Sequence, residues 1–146
     1  MVIAVCGNGF LEDGETCTSC PADCVVHPCT VTAPTRTFQV NFTPPAGQDV
    51  SAVTVLVGYR SDLVSLPGSG ASSNLTARFQ NKPSGSVLAP FDLDYAVRVV
   101  MQRTALFSAG RLFTVDFDSC QGAAAPTASD FGCANTFGSV EGCTAL

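Results

Sequence analysis

The stretch VTVLVGY, residues 53–59, decides the fold class of this 146-residue chain. Its β-branched and aromatic side chains recur at every second position, which places them on one face of a strand. The same alternation recurs in residues 38–42, 75–79, 95–101 and 113–117. Gly, Pro, Asn and Ser separate these stretches, and no segment carries a capped helical stripe. The pattern predicts an all-β fold, with seven to nine strands in two packed sheets of an antiparallel β-sandwich.

The composition limits the classes of function. A chain of this length holds one hydrophobic core and a small attachment. Its seven Lys and Arg residues are scattered singly and the net charge is -5, so no basic surface for nucleic acid is expected. No apolar run approaches the roughly 20 residues that span a bilayer. We therefore predict neither nucleic acid nor a membrane span.

Eight Cys residues beside a single His indicate disulfides and a secreted, extracellular or cell-surface protein. Residues 1–5 are too short for a signal peptide and are either the remnant of one or an initiator region. Because disulfides imply secretion, we expect an intact secretion signal upstream. The Cys residues form two clusters: Cys6, Cys17, Cys20, Cys24 and Cys29, then Cys120, Cys133 and Cys143. This spacing predicts a short stapled cysteine-rich segment at residues 1–33 and a sandwich domain at residues 34–146.

Both clusters have an odd number of Cys residues, so full pairing needs at least one bridge between them. Cys120 with Cys133 is a natural local pair. Cys143 would then meet an N-terminal Cys, most simply Cys29. Whether that bridge lies within one chain or between neighbouring chains stays open at this point.

The loop from Cys6 to Cys17 interleaves oxygen-bearing side chains with glycines and is closed by cysteines. Calcium takes about 6–8 oxygen ligands, and such a loop can direct several oxygens inward. The predicted ligands are the side chains of Asn8, Glu12, Glu15 and Asp23 and the carbonyl of Phe10. The alternative is that these acids simply solvate a disulfide knot.

Other chemistries have weaker support. Cys17 and Cys20 form a C-x-x-C pair and His27 is a lone candidate zinc ligand, but a secreted setting oxidises the thiols. No βαβ pattern surrounds the pair, which disfavours a redox motif. The carboxylate pairs Asp92/Asp94 and Asp116/Asp118 could form the acid/base pair of a glycoside hydrolase. Each pair lies on one face of a strand, however, which favours a second calcium site or a solvated strand edge. We therefore predict no enzyme activity.

The pattern CGNG at residues 6–9, followed by Glu12, GE at residues 14–15 and C-x-x-CP-x-DC at residues 17–24, resembles the cysteine-rich repeats of myxobacterial surface proteins. That resemblance implies a calcium-supported, dockerin-like module. The sequence EDGE at residues 12–15 stands where some members carry a Cys, which implies that one disulfide of the usual set differs.

A second resemblance is carried by residues 53–70, 91–95 and 108–118 and covers about residues 35–135. These stretches are similar to cohesin-like domains of the carbohydrate-binding-module superfamily. The likeness implies a sandwich that binds a dockerin through a sheet face. A dockerin-like segment and a cohesin-like body in one chain imply head-to-tail self-association.

These inferences converge on a noncatalytic extracellular structural or adhesion protein that polymerises with itself into a calcium-stabilised filament or matrix, such as a biofilm matrix. The alternative is a monomeric cohesin-like or carbohydrate-binding anchoring module of a larger surface protein. Its partner would be a dockerin-like segment or a polysaccharide, although the absence of Trp counts against a sugar-stacking platform.

Overall fold

The chain is described by a computed structural model covering residues 6–7, 17–44, 47, 49–67, 70, 73–93, 95–127, 130–135 and 144–145. For residues 132–135 and 144–145 the description is of the backbone. Within these ranges the fold is an antiparallel β-sandwich, as the alternation predicts.

Nine strands and one short helix make up the described regular structure, together with a 3₁₀ turn at Pro21–Cys24. In chain order they are β1 (Val31–Phe42), β2 (Ala52–Tyr59), β3 (Val64–Ser65), α1 (Ser73–Thr76), β4 (Phe79–Gln80), β5 (Val87–Asp92), β6 (Ala96–Gln102), β7 (Gly110–Cys120), β8 (Phe131–Asn135) and β9 (Thr144–Ala145). Among the described residues, no helix is long and apolar enough to cross a membrane.

The strands form two sheets. One has the order β3-β7-β1-β9, with β4 also paired to β7, and the other has the order β5-β6-β2-β8. The alternating residues of β2 and β6 lie opposite one another, with Val53 against Met101 and Val57 against Val97. This register turns both apolar rows toward the core.

The core lies between the two sheets. Val40, Val57, Val99 and Val115 are fully buried there, and Phe117 joins them from β7. Aromatic rings dominate one end: Phe38 and Phe131 stack with ring centroids 3.9 Å apart, and Tyr59 lies 5.2 Å from Phe117. Burial of such rings against aliphatic side chains is the main stabilising term in a sandwich of this size.

Two local predictions are wrong. Residues 75–79 were predicted as one strand, but they form the end of helix α1 and the short strand β4. The helical turn that begins at Ser73 buries the Leu75 side chain in the core. Strand β5 was not predicted, since Pro90 reads as a break. Pro90 is tolerated because β5 is an edge strand. The N–H that proline lacks would point away from β6, so no hydrogen bond of the sheet is lost.

Candidate functional site

The cysteine-rich segment is held by two local disulfides, Cys6–Cys20 and Cys17–Cys24. Pro21 begins the 3₁₀ turn between them, where its fixed φ suits a first helical position. The sulfur of Cys17 lies 3.2 Å from the hydroxyl of Tyr95, in the connection between β5 and β6. The segment is therefore packed against the sandwich at that connection.

Asp23 is the predicted calcium ligand that the structure describes. Its side chain is 1% exposed, and both carboxylate oxygens accept the Gly7 N–H at 3.1 Å. The Cys20 sulfur lies 3.1 Å from Oδ2. Because that sulfur belongs to a disulfide, it has no proton to donate, and the approach is a close contact. Asp23 thus fixes the residue after Cys6, where the predicted calcium loop begins.

The other predicted ligands, Asn8, Phe10, Glu12 and Glu15, lie outside the described residues. Cys6, Cys20 and Asp23 do bring potential ligand atoms within 4.8 Å of one another. The two sulfurs are bonded to each other, so the cluster offers one carboxylate rather than a thiolate site. A carboxylate suits calcium, which prefers oxygen ligands. Calcium binding remains a prediction.

A zinc site or a redox motif would need free thiols at Cys17 and Cys20, and the described part of the segment has none there. Cys17 and Cys20 belong to two different bridges, so the C-x-x-C pair is not a disulfide of its own. His27 is exposed, and its backbone N–H donates to Ser61 Oγ at 2.8 Å.

The connection from the cysteine-rich segment to the sandwich, residues 25–30, is anchored at several points. The buried hydroxyl of Ser61 receives the His27 N–H and donates to the Val25 carbonyl at 3.3 Å. The Gln121 N–H donates to the Thr30 carbonyl at 2.7 Å. A third disulfide joins Cys29 to Cys120 at the end of β7.

The predicted bridge between the two Cys clusters is confirmed, lies within one chain and uses Cys29 as predicted, but its predicted C-terminal partner is wrong. Cys120 pairs with Cys29 rather than with Cys133, so Cys143 does not pair with Cys29. The reason is register: Val31 lies opposite Cys120 in the β1–β7 ladder, which brings Cys29 beside it. The side chains of Cys133 and Cys143 lie outside the described residues.

The carboxylates considered for catalysis serve separate structural contacts. Asp116 accepts the Thr37 hydroxyl at 2.6 Å, and Asp118 forms a two-pronged ion pair with Arg78 at 2.7 and 3.1 Å. Asp92 is buried on the opposite sheet and accepts the Tyr59 hydroxyl at 2.7 Å. Asp94 lies outside the described residues.

A further ion pair joins β2 to the start of β8. Arg60 donates to both oxygens of Asp62 and lies 3.6 Å from Asp130. The hydrogen bond to Asp62 raises the pKa of Arg60 above its usual value. The guanidinium therefore keeps its charge throughout the working pH range.

The outer faces of the two sheets differ in chemistry. On the β1–β7 sheet, polar side chains such as Gln39 and Asn41 bond to one another. On the other sheet, Val87 is 68% exposed and Phe91 38% exposed, and the guanidinium carbon of Arg98 lies 5.2 Å from the Phe91 ring centroid. Sequence reasoning missed Phe91 and Arg98 because β5 was not predicted. The alternation of Val87, Ala89 and Phe91 is the signal that would have found this face.

A groove of about 310 Å³ opens beside β1, at the end of the sandwich where Phe38 stacks on Phe131. It is lined by Thr35, Arg36, Thr37, Phe38, Pro126, Thr127 and Phe131. The Nε atom of Arg36 is buried and has no hydrogen-bond partner among the described residues. Sequence reasoning did not single out Arg36, since a lone Arg between threonines usually faces solvent.

Comparison of the chain with protein families, characterised proteins and solved structures gave no match. The cohesin-like and dockerin-like resemblances therefore remain predictions.

Proposed function

We propose that this protein is a noncatalytic extracellular structural or adhesion protein that assembles head-to-tail into a calcium-stabilised filament or matrix. The observation that carries the proposal is the fixed attachment of the cysteine-rich segment to one side of the sandwich. Cys29–Cys120 and Ser61 anchor its connection, and the Cys17 sulfur meets Tyr95. A segment fixed in this way loses less conformational entropy when it docks than a free tail does.

Charge supports a calcium-dependent contact. Residues 1–33 contain four acidic residues (Glu12, Asp13, Glu15 and Asp23) and no Lys or Arg. All seven basic residues lie in the sandwich domain. Because the sandwich domain also holds eight acidic residues, the acidic cluster is not attracted to a neighbouring copy by net charge, and calcium would neutralise part of the cluster, reduce the repulsion and rigidify the loop.

The three disulfides favour an oxidising compartment, because thiols in the cytosol are kept reduced. This supports the proposal that the protein works outside the cell or at its surface.

Multi-angle light scattering of the oxidised protein in millimolar calcium, repeated after chelation, tests the proposal. We expect ordered polymers in calcium, visible by electron microscopy, and smaller species after chelation. The variant D23N should weaken the response to calcium, whereas D49N, at an exposed position, should not. A monomer of 15.0 kDa in both buffers would overturn the proposal.

The exposed apolar face around Val87, Phe91 and Arg98 favours the alternative, a monomeric cohesin-like or carbohydrate-binding anchoring module. Such a module would hold a dockerin-like segment or a polysaccharide on this face. Two results together would favour the anchoring module over the filament. The protein would stay a monomer in calcium, and it would bind a soluble polysaccharide saturably, with binding lost in F91A and retained in the control L106A.

A further inference from the structure

Strand β1 is paired unevenly along its two edges. Toward β7 its register runs from Val31 to Phe42, whereas toward β9 the paired residues are Val40 and Asn41. Pro34 lacks a backbone N–H and lies between Thr32 and Arg36, where the register toward β7 shifts. Within the described chain, residues 35–39 therefore form an edge with no strand beside it, called here the open edge.

The groove follows the open edge. Phe38 and Phe131 supply an apolar wall, and Thr35 and Thr37 lie on the exposed strand itself. Arg36 is half-buried, with an Nε–H that no described acceptor receives. A buried donor without an acceptor is destabilising, and a backbone carbonyl brought into the groove would satisfy it. A strand edge that is open within the described chain, beside a groove with one apolar wall, is the arrangement that accepts an additional strand.

The chain contains a segment suited to that edge. Residues 1–5 read Met-Val-Ile-Ala-Val, without charge and with three β-branched side chains, which favours an extended strand. Five extended residues span roughly 17 Å, the same length as the five residues of the open edge.

The position of Cys6 favours insertion into a neighbouring copy. Cys6 is bonded to Cys20, and the cysteine-rich segment contacts Ser61, which precedes β3, and Tyr95, which lies between β5 and β6 of the other sheet. The open edge faces the other way in the order β3-β7-β1-β9. Two strand spacings of about 4.8 Å separate β3 from β1. Cys6, to which the donor is attached, and the acceptor edge therefore lie on different sides of the sheet, as a head-to-tail contact requires.

We propose that residues 1–5 of one copy add as a strand to residues 35–39 of the next copy. This inference rests on the proposed function and names the contact that joins the subunits. Main-chain hydrogen bonds supply much of the affinity, and the apolar side chains of residues 1–5 enter the groove between β1 and β8. Because donor and acceptor surfaces differ, each added copy presents a new acceptor, and the assembly stays open.

Deletion of residues 1–5 tests the donor. In calcium we expect the scattering mass of this variant to fall to that of a single chain, slightly below the 15.0 kDa of the full-length protein. The variant I3P should weaken association about tenfold or more, because proline removes a backbone N–H from the added strand. The conservative I3V should polymerise like the parent protein. Thermal unfolding of each variant checks that the sandwich is intact.

Cross-linking tests the acceptor. A photoreactive phenylalanine analogue is placed at position 3, and ¹⁴N- and ¹⁵N-labelled chains are mixed before irradiation. Mass spectrometry should find mixed-label cross-links to the peptide that contains residues 35–39. Cross-links within one chain, or to another surface, overturn the inference.

The acceptor variant R36K keeps the positive charge and removes the Nε–H, and it should weaken polymerisation. The matched control R111K changes an exposed Arg on β7 and should not. If the parent protein polymerises and the deletion variant polymerises equally well, the strand inference fails and the proposed function stands. If the parent protein is a monomer in calcium, both fail.

Discussion

The buried hydroxyl of Tyr59 donates a hydrogen bond to Asp92, and this contact shows how a polar group is accommodated in the core. Tyr59 ends the alternating row of β2, so its ring is placed inside the sandwich by the same pattern that buries Val57. A carboxylate that is buried beside it needs donors, and the phenol supplies one. The sequence predicts the burial of Tyr59, but its partner lies 33 residues away in a strand that was not predicted.

The variant Y59F is expected to lower the free energy of unfolding by about 1–3 kcal/mol, because a buried carboxylate oxygen loses a donor. Chemical denaturation of the oxidised protein measures this. The matched variant Y95F removes a partly exposed hydroxyl and should change stability by less than about 0.5 kcal/mol. Equal losses in both variants would contradict the importance of the buried pair.

Asp23 gives a second prediction at the scale of a residue. Calcium at about 100 times its dissociation constant should stabilise the segment that binds it by about 2.7 kcal/mol. We expect calcium to raise the unfolding temperature of the parent protein and of D49N, and to leave D23N nearly unchanged. Calorimetry with calcium and with magnesium measures the shift. An equal shift in D23N would remove Asp23 from the site.

At the scale of elements, the disulfides differ in what they connect. Cys29–Cys120 links residues 91 positions apart, whereas Cys17–Cys24 links residues 7 apart. In the chain-entropy account, closing a longer loop restricts the unfolded chain more strongly. The long bridge also fixes the start of β1 to the end of β7.

The double variant C29A/C120A is therefore expected to lower the free energy of unfolding of the sandwich by about 2–5 kcal/mol. The control C17A/C24A should affect it less, because its loop is short and lies in the cysteine-rich segment. Guanidinium denaturation, followed by circular dichroism of the strands, compares the two. A larger loss in the control would show that the local bridge supports the sandwich.

At the scale of the whole molecule, the contact proposed between residues 1–5 and the open edge is directional. A chain without residues 1–5 keeps its acceptor edge but has no donor. Its acceptor edge can therefore bind the free donor at one end of a polymer. Because it offers no donor of its own, growth stops at that end.

We expect substoichiometric amounts of this deletion variant to shorten polymers of the parent protein in calcium. Mean length, measured by electron microscopy, should fall as the added fraction rises. A deletion variant that also carries R36K should cap less effectively, since its acceptor is weakened. Polymers of unchanged length would contradict a directional contact.

The sequence alone determined the features that depend on local pattern. Alternating apolar residues predicted the strands β2, β6 and β7, because period-two burial is a property of each strand by itself. The odd count in each Cys cluster required a bridge between the clusters, which Cys29–Cys120 supplies. The predicted ligands Asn8, Phe10, Glu12 and Glu15 lie outside the described residues, so the calcium loop remains a sequence-based prediction.

The tertiary structure decided which distant residues meet. It chose Cys29 as the partner of Cys120, made Pro90 part of an edge strand, and left Arg36 in a groove beside the open edge. None of these follows from a local pattern. Strand order and register are set by the packing of many side chains at once across two sheets, and a shift of one residue would turn every side chain to the other face.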